Sequence, residues 1–131
     1  MKKGYKSLLE EANAEIVAVT PEEVSALLQG DDTVVVDLRD PRELQREGMI
    51  PGATHCPRGM LEFWIDPESP YHKPIFASGK TFIFYCASGW RSALSTKTAQ
   101  DMGLDPVKHI LGGFTAWKKA GLPVVMPERK D

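Results

Sequence analysis

Two unbroken apolar runs constrain this chain more than any other feature. Thr33-Val34-Val35-Val36-Asp37-Leu38 and Thr81-Phe82-Ile83-Phe84-Tyr85 lack the polar residue at every second position that marks a strand with one wet face. Such strands are covered on both sides, as in a parallel sheet held between layers of helices. Helix signals fill the intervals. Ser7-Leu8-Leu9-Glu10 has the spacing of a capping box and predicts a short helix through Ala12, ahead of a strand at Ile16-Val17-Ala18-Val19. Thr20-Pro21-Glu22-Glu23 starts a second helix, with Thr20 as cap and Gly30 as its close. Asp40-Pro41-Arg42-Glu43 opens a third, in which Glu43 reads as a capping residue.

From Ile50 to Lys80 prolines interrupt the pattern, and Met60 to Ile65 predicts one helical turn, either core or a cover near the site. Ser92 to Met102 is helical in composition, with Gly103 to stop it. Val107 to Leu111 reads as a strand, and Gly112-Gly113 opens a last helix that Gly121 ends. The alternation predicts an α/β domain with a mainly parallel central sheet flanked by helices. One domain over residues 1–131 is expected, with a helical extension at 1–15 and a core at 16–126. With 131 residues, 42% hydrophobic and 26% charged, the chain has the size and balance for that.

Sixteen Lys and Arg against eighteen Asp and Glu, a net charge of −2, leave no basic excess for a phosphate backbone, so nucleic acid is not an expected partner. No apolar run approaches the roughly 18 to 20 residues that span a bilayer. Met1-Lys2-Lys3 leads into Leu8-Leu9-Glu10-Glu11 instead of a hydrophobic leader. A cytoplasmic setting away from membranes is the expectation. Cys56 and Cys86 are the two cysteines, with no CxxC pair, and three histidines are scattered. A disulfide framework and a metal site both lack their residues, and no cofactor is expected.

Cys86-Ala87-Ser88-Gly89-Trp90-Arg91-Ser92 is where chemistry concentrates. A hydrophobic strand stops, small residues turn, and a helix begins. A loop of this kind aims successive amides inward, and with the positive end of the next helix it makes an anion site that favours thiolate over thiol. Gly89 permits backbone conformations closed to other residues, and Arg91 supplies a permanent charge and planar donors suited to an oxyanion. A strand-end cysteine is ordinarily packing, but this one sits where ligands gather in open α/β sheets.

The chain resembles the rhodanese homology domain, a sulfurtransferase family, over almost its whole length. The resemblance rests on Asp37-Leu38-Arg39-Asp40-Pro41-Arg42-Glu43-Leu44, on Gly48-Met49-Ile50-Pro51-Gly52-Ala53, on the Cys86 loop with Arg91 after four intervening residues, and on Leu111-Gly112-Gly113-Phe114-Thr115-Ala116-Trp117. It implies a rhodanese-like three-layer fold. It also implies a Cys86 that takes a sulfane sulfur from a small donor such as thiosulfate and hands it to cyanide, a thiol or a protein acceptor. Ala87, Ser88, Gly89, Trp90, Arg91 and Ser92 would line the substrate site. Asp37 and Arg39 match the family motif near the pocket, Asp37 supporting the loop through Arg91 and Arg39 adding positive potential.

Two positions depart from the family pattern. Met49 stands where a His is usual and reads as packing. Trp90 is bulky where small residues are common, and is read at the rim, with outward packing as its alternative. Cys56 reads as a buried small residue, with a resolving thiol as the alternative. Two other functions stay open: a Cys-dependent phosphatase or arsenate reductase of the same fold, whose loop has five residues between Cys and Arg, and a persulfide carrier or regulatory binding module.

Overall fold

Thr20 and Asp40 show how local rules set the frame. In the computed structural model, which describes residues 1–128, each side chain accepts the amide predicted for a helix cap, and Glu23 and Glu43 return the bond to complete both capping boxes. They open α2 (Pro21–Leu27) and α3 (Pro41–Glu47). The other elements are α1 (Tyr5–Glu15), β1 (Ala18–Val19), β2 (Thr33–Asp37), β3 (Thr54–His55), α4 (Leu61–Ile65), β4 (Thr81–Tyr85), α5 (Trp90–Met102), β5 (Val107–Ile110) and α6 (Gly113–Lys119). Short 3-10 turns at Arg58–Met60 and Pro74–Ala77 punctuate the proline-rich stretch.

All five strands run parallel in the order β1-β5-β4-β2-β3. Among the described residues, the one antiparallel contact outside them is an isolated bridge between Met49 and Val125. The apolar runs behave as strands covered on both faces. Val34, Val36, Leu38, Phe82 and Phe84 face one cluster, closed by Leu61 and Ile65 of α4, Phe76 and Ala99 of α5. Val35, Ile83 and Tyr85 face the other, closed by Val24 of α2 and by Phe114 and Trp117 of α6. Burying these side chains is the main stabilising contribution, about 1.5 to 3 kcal/mol for each large one. Among the described residues no helix is long and apolar enough to cross a membrane.

Several boundaries differ from the sequence expectation. α1 begins at Tyr5 with Gly4 as its cap, and Ser7 lies inside the helix with no capping bond. The extra turn lets α1 lie along α5, where Gln100 Nε2 donates to the Glu15 carbonyl at 3.0 Å and the Tyr5 ring meets Trp90. β1 is shorter than Ile16 to Val19 because the Ile16 amide is spent on the Ala12 carbonyl, closing α1. α2 ends at Leu27, and Gly30 sits in the turn beyond, its amide on the Leu27 carbonyl. α5 starts two residues before Ser92.

β2 lies between β3 and β4, so the chain leaves its carboxyl end toward one edge of the sheet and returns on the other side. That is the switch point where open α/β sheets hold ligands. Asp37 ends β2 and Cys86 follows β4 at this place.

Candidate active site

Cys86 is 1% exposed, and its sulfur lies at the floor of the loop. The Gly89 amide donates to Sγ at 3.2 Å and the Ser92 amide at 3.4 Å, with Ser92 Oγ 3.7 Å away. These amides are free for the sulfur because the cap and first turn of α5 have no carbonyl four residues back within the helix. Gly89 makes the ring close: its φ of +111° is a conformation that side chains rarely adopt. The Ser88 side chain is exposed, Ala87 is half-buried, and the 13-residue α5 adds the positive end of its dipole.

The carbonyls of the loop are turned away from the sulfur by α6. The amides of Phe114 and Thr115 donate to the carbonyl oxygens of Cys86 at 2.8 Å and Ala87 at 3.1 Å. Gly113, at φ +59°, lets the two segments touch: a Cβ there would sit 2.6 Å from the Cys86 carbonyl oxygen and 2.7 Å from that of Ala87. The reading of Gly112-Gly113 as a helix start missed this role. A tight Gly-Gly before a helix, in a chain with one candidate nucleophilic loop, is the signal that would have found it.

Arg91 pairs with Glu43, not with Asp37. Its Nη1 and Nη2 donate to the two Glu43 oxygens at 2.7 and 2.9 Å. The bond from Arg91 is the largest influence on the Glu43 carboxyl, holding it well below the usual range, at about 2. The Arg91 guanidinium is pushed the other way, first by Glu43 and further by the Cys86 sulfur, which it also faces. Glu43 therefore caps α3 and ties α3 to the loop at once. The correction follows from reach: Glu43 lies on the first turn of α3, beside the loop mouth, whereas Asp37 points into the core.

Asp37 instead holds Arg39. Its oxygens accept from Arg39 Nε at 3.0 Å and Nη2 at 2.8 Å and from the Tyr85 hydroxyl at 2.5 Å, all within the interior. Arg39 also donates to the Gly48 carbonyl at 2.7 Å and stacks its guanidinium 4.3 Å from the Phe114 ring centre. The charge of Arg39 is thus paired with that of Asp37, and the two act as a buried strut under the loop. Burial, more than the Asp37 charge, pushes the Tyr85 hydroxyl up, so it stays a donor.

Trp90 is 58% exposed, its ring centre 5.2 Å from that of Tyr5, which is the outward packing left as its alternative. Met49 is half-buried, and its backbone pairs with Val125 at 2.8 and 3.0 Å. Cys56 is wholly buried in the Leu61 cluster, and burial pushes its thiol up to about 12, as expected for packing. The Met60 to Ile65 segment covers the same cluster, with Leu61 and Ile65 buried in it and Phe63 exposed on its outer side.

Two clefts flank the Glu43–Arg91 bridge. One of about 260 Å³ is lined by Arg39, Glu43, Arg46, Ala87, Thr115 and Lys118. The other, of about 240 Å³, is lined by Arg39, Pro57, Arg58 and Arg91 among others. Both carry guanidinium groups, which suits a small anionic substrate. A larger, mainly apolar cavity of about 440 Å³, between Ile65, Phe76 and Leu104, is lined by no cysteine. Among the described residues no group of three His, Cys, Asp or Glu is placed to hold a metal ion.

Comparison with known proteins agrees with this geometry. The model of the rhodanese-like domain matches residues 20–120, and the chain belongs to that family. A sulfurtransferase from Allochromatium vinosum is 32% identical over 102 residues, covering 78% of this chain and 87% of that protein. An uncharacterised protein of Synechocystis is 35% identical over 109 residues, and the matched region spans 56% of its length. A solved structure from Rhodopseudomonas palustris, described as a protein of unknown function and possible tyrosine phosphatase, is 58% identical with a TM-score of 0.92, covering 95% of this chain and 96% of that one. The fold is thus the rhodanese-like three-layer arrangement, with an all-parallel sheet.

Proposed function

We propose that this chain is a sulfurtransferase working through a persulfide on Cys86. The Cys86 thiolate attacks the outer sulfur of a donor such as thiosulfate, a new S–S bond forms, and sulfite leaves with the electron pair of the broken bond. A cyanide or thiol then attacks the outer sulfur, carries it off as thiocyanate or a new persulfide, and returns the Cys86 thiolate. The observation that carries this reading is the convergence of the Gly89 and Ser92 amides on one sulfur in a loop of four residues between Cys86 and Arg91. A ring of that size matches one sulfur atom. The sulfurtransferase relative supports it, and the guanidinium-lined clefts suit an anionic donor. The reading extends to a reducing, cytoplasmic setting and to acceptors that include a protein thiol.

A second reading, Cys-dependent phosphoryl transfer, is favoured by the description of the Rhodopseudomonas palustris structure. The two are separated by one experiment. Wild type and Cys86→Ser are incubated with thiosulfate, then with cyanide, and in parallel with an aryl phosphate. The expected result is one added sulfur atom on Cys86 by mass spectrometry and thiocyanate release, both absent in Cys86→Ser. Phosphate release without thiocyanate would establish the second reading, and neither product would overturn both.

A further inference from the structure

Beneath the loop lies a polar chain that the sulfur transfer described above does not use. Ser92, buried on the first turn of α5, and His109, 4% exposed on β5, are joined by a 2.9 Å contact between Oγ and Nδ1. The same Ser92 Oγ is 3.7 Å from Cys86 Sγ and 3.3 Å from the Gly89 carbonyl oxygen. On the far side of the ring, His109 Nε2 is buried with no hydrogen-bond partner among the described residues. Packing alone does not call for this. An aliphatic side chain would fill the position without leaving a polar atom bare.

Counting protons assigns the tautomer. Ser92 has a single hydroxyl proton. With the ring proton on Nε2, that N–H would lie buried without an acceptor, and Nδ1 would claim the Ser92 proton, leaving none for the sulfur. With the ring proton on Nδ1, it donates to Ser92 Oγ, and the bare atom is a lone pair, a less severe loss than a buried N–H. The Ser92 proton is then free to move between two acceptors. It points to the Gly89 carbonyl while the Cys86 thiol donates to Oγ, and turns to the sulfur when the thiol ionises.

We propose that His109 is a positioning residue which, as the neutral Nδ1–H tautomer, holds the Ser92 hydroxyl as a donor to the Cys86 sulfur in its thiolate and persulfide forms. This rests on Cys86 being the nucleophile. Burial disfavours protonation of His109, and no charged neighbour contributes to that. The charged group facing the sulfur is Arg91 of α5, engaged by Glu43 of α3, while Asp37 and Arg39 satisfy each other. Neither pair makes up for a lost Ser92 proton.

The test reads the thiol and the ring directly, so it stands apart from any sulfur-transfer assay. In ¹⁵N-histidine-labelled wild type, with His109 assigned by comparison with His109→Asn, Nδ1 is expected to show the protonated signature and Nε2 the bare one. Alkylation of the Cys86 peptide by iodoacetamide, followed by mass spectrometry, is expected to slow about tenfold at neutral pH in Ser92→Ala and in His109→Leu, the worth of one hydrogen bond to a charged group. The pH profile of both moves upward, and the double variant is no slower than either single one. His109→Asn, whose amide N–H replaces the Nδ1–H, stays within about twofold of wild type. An Nε2–H signature, a wild-type profile in His109→Leu, or additive losses would overturn the proposal. The spectrum needs no core variant, so a His109→Leu chain that failed to fold would leave the test intact. Lost sulfur transfer with these profiles as expected would sink the proposed function and leave the relay standing.

Discussion

The Glu43–Arg91 bridge joins α3 to the loop, and its two parallel bonds give it direction as well as charge. Its side chains are 20% and 40% exposed, so solvent screening keeps its share of stability to about 1 kcal/mol. Its pH dependence follows from the sign of the shift. Glu43 is harder to protonate in the folded chain than unfolded, so the bridge contributes in full above the ordinary value of 4.5 and is lost as pH falls toward about 2. The Tm gap between wild type and Glu43→Gln is therefore expected to hold steady near neutrality and to shrink below about 4.5. The same variant leaves Arg91 with one weaker partner, and kcat/KM for thiosulfate is expected to fall about tenfold, as measured by thiocyanate release. An unchanged rate would show that the Arg91 position does not matter to the donor.

At the scale of elements, the meeting of α6 with the β4–α5 loop is the joint on which the site depends. The first amides of α6 hold the carbonyls of Cys86 and Ala87, which leaves the amides beyond them to face the sulfur. Gly113→Ala would drive a Cβ into two backbone oxygens at under 3 Å in a left-handed conformation, and backbone cannot step aside as a flexible side chain does. A loss of about 2 kcal/mol or more is expected in urea unfolding, with slower alkylation of Cys86 in the chain that remains folded. Gly52→Ala, also at positive φ but with nothing within 4 Å, separates backbone strain from the clash and should lose less. Equal losses in the two variants would remove the joint from the account.

For the molecule as a whole, the buried polar groups govern how stability responds to acid. Asp37, Arg39 and Tyr85 form a hydrogen-bonded network in the interior. Asp37→Asn is expected to cost about 3 to 5 kcal/mol, because Arg39 would keep its charge with no counter-charge. Unfolding by urea measures it directly. His109 acts in another window. Burial lowers its proton affinity below the ordinary 6.5, so the unfolded chain takes up a proton there that the folded chain refuses, and stability falls as pH drops below that value. His109→Asn removes this contribution, so its unfolding midpoint should decline less steeply below 6.5 than that of wild type. Parallel curves would contradict it.

Local chemistry alone settles a good part of this protein. The capping boxes at Thr20 and Asp40, the two doubly covered strands and the stop at Cys86 follow from bonding and periodicity within a few residues, and all are found in the structure. The choice of partner for Arg91 does not, since Glu43 lies 48 positions away and competes with Asp37 at similar separation. Only the packing of α3 beside the loop brings one carboxylate to the mouth and sends the other inward. The link from Ser92 to His109 is hidden for the same reason: β5 must pair with β4 before residues 17 apart in the chain share a proton. Short-range bonding is written in adjacent letters, whereas contacts between distant side chains exist only once the sheet order has put them side by side.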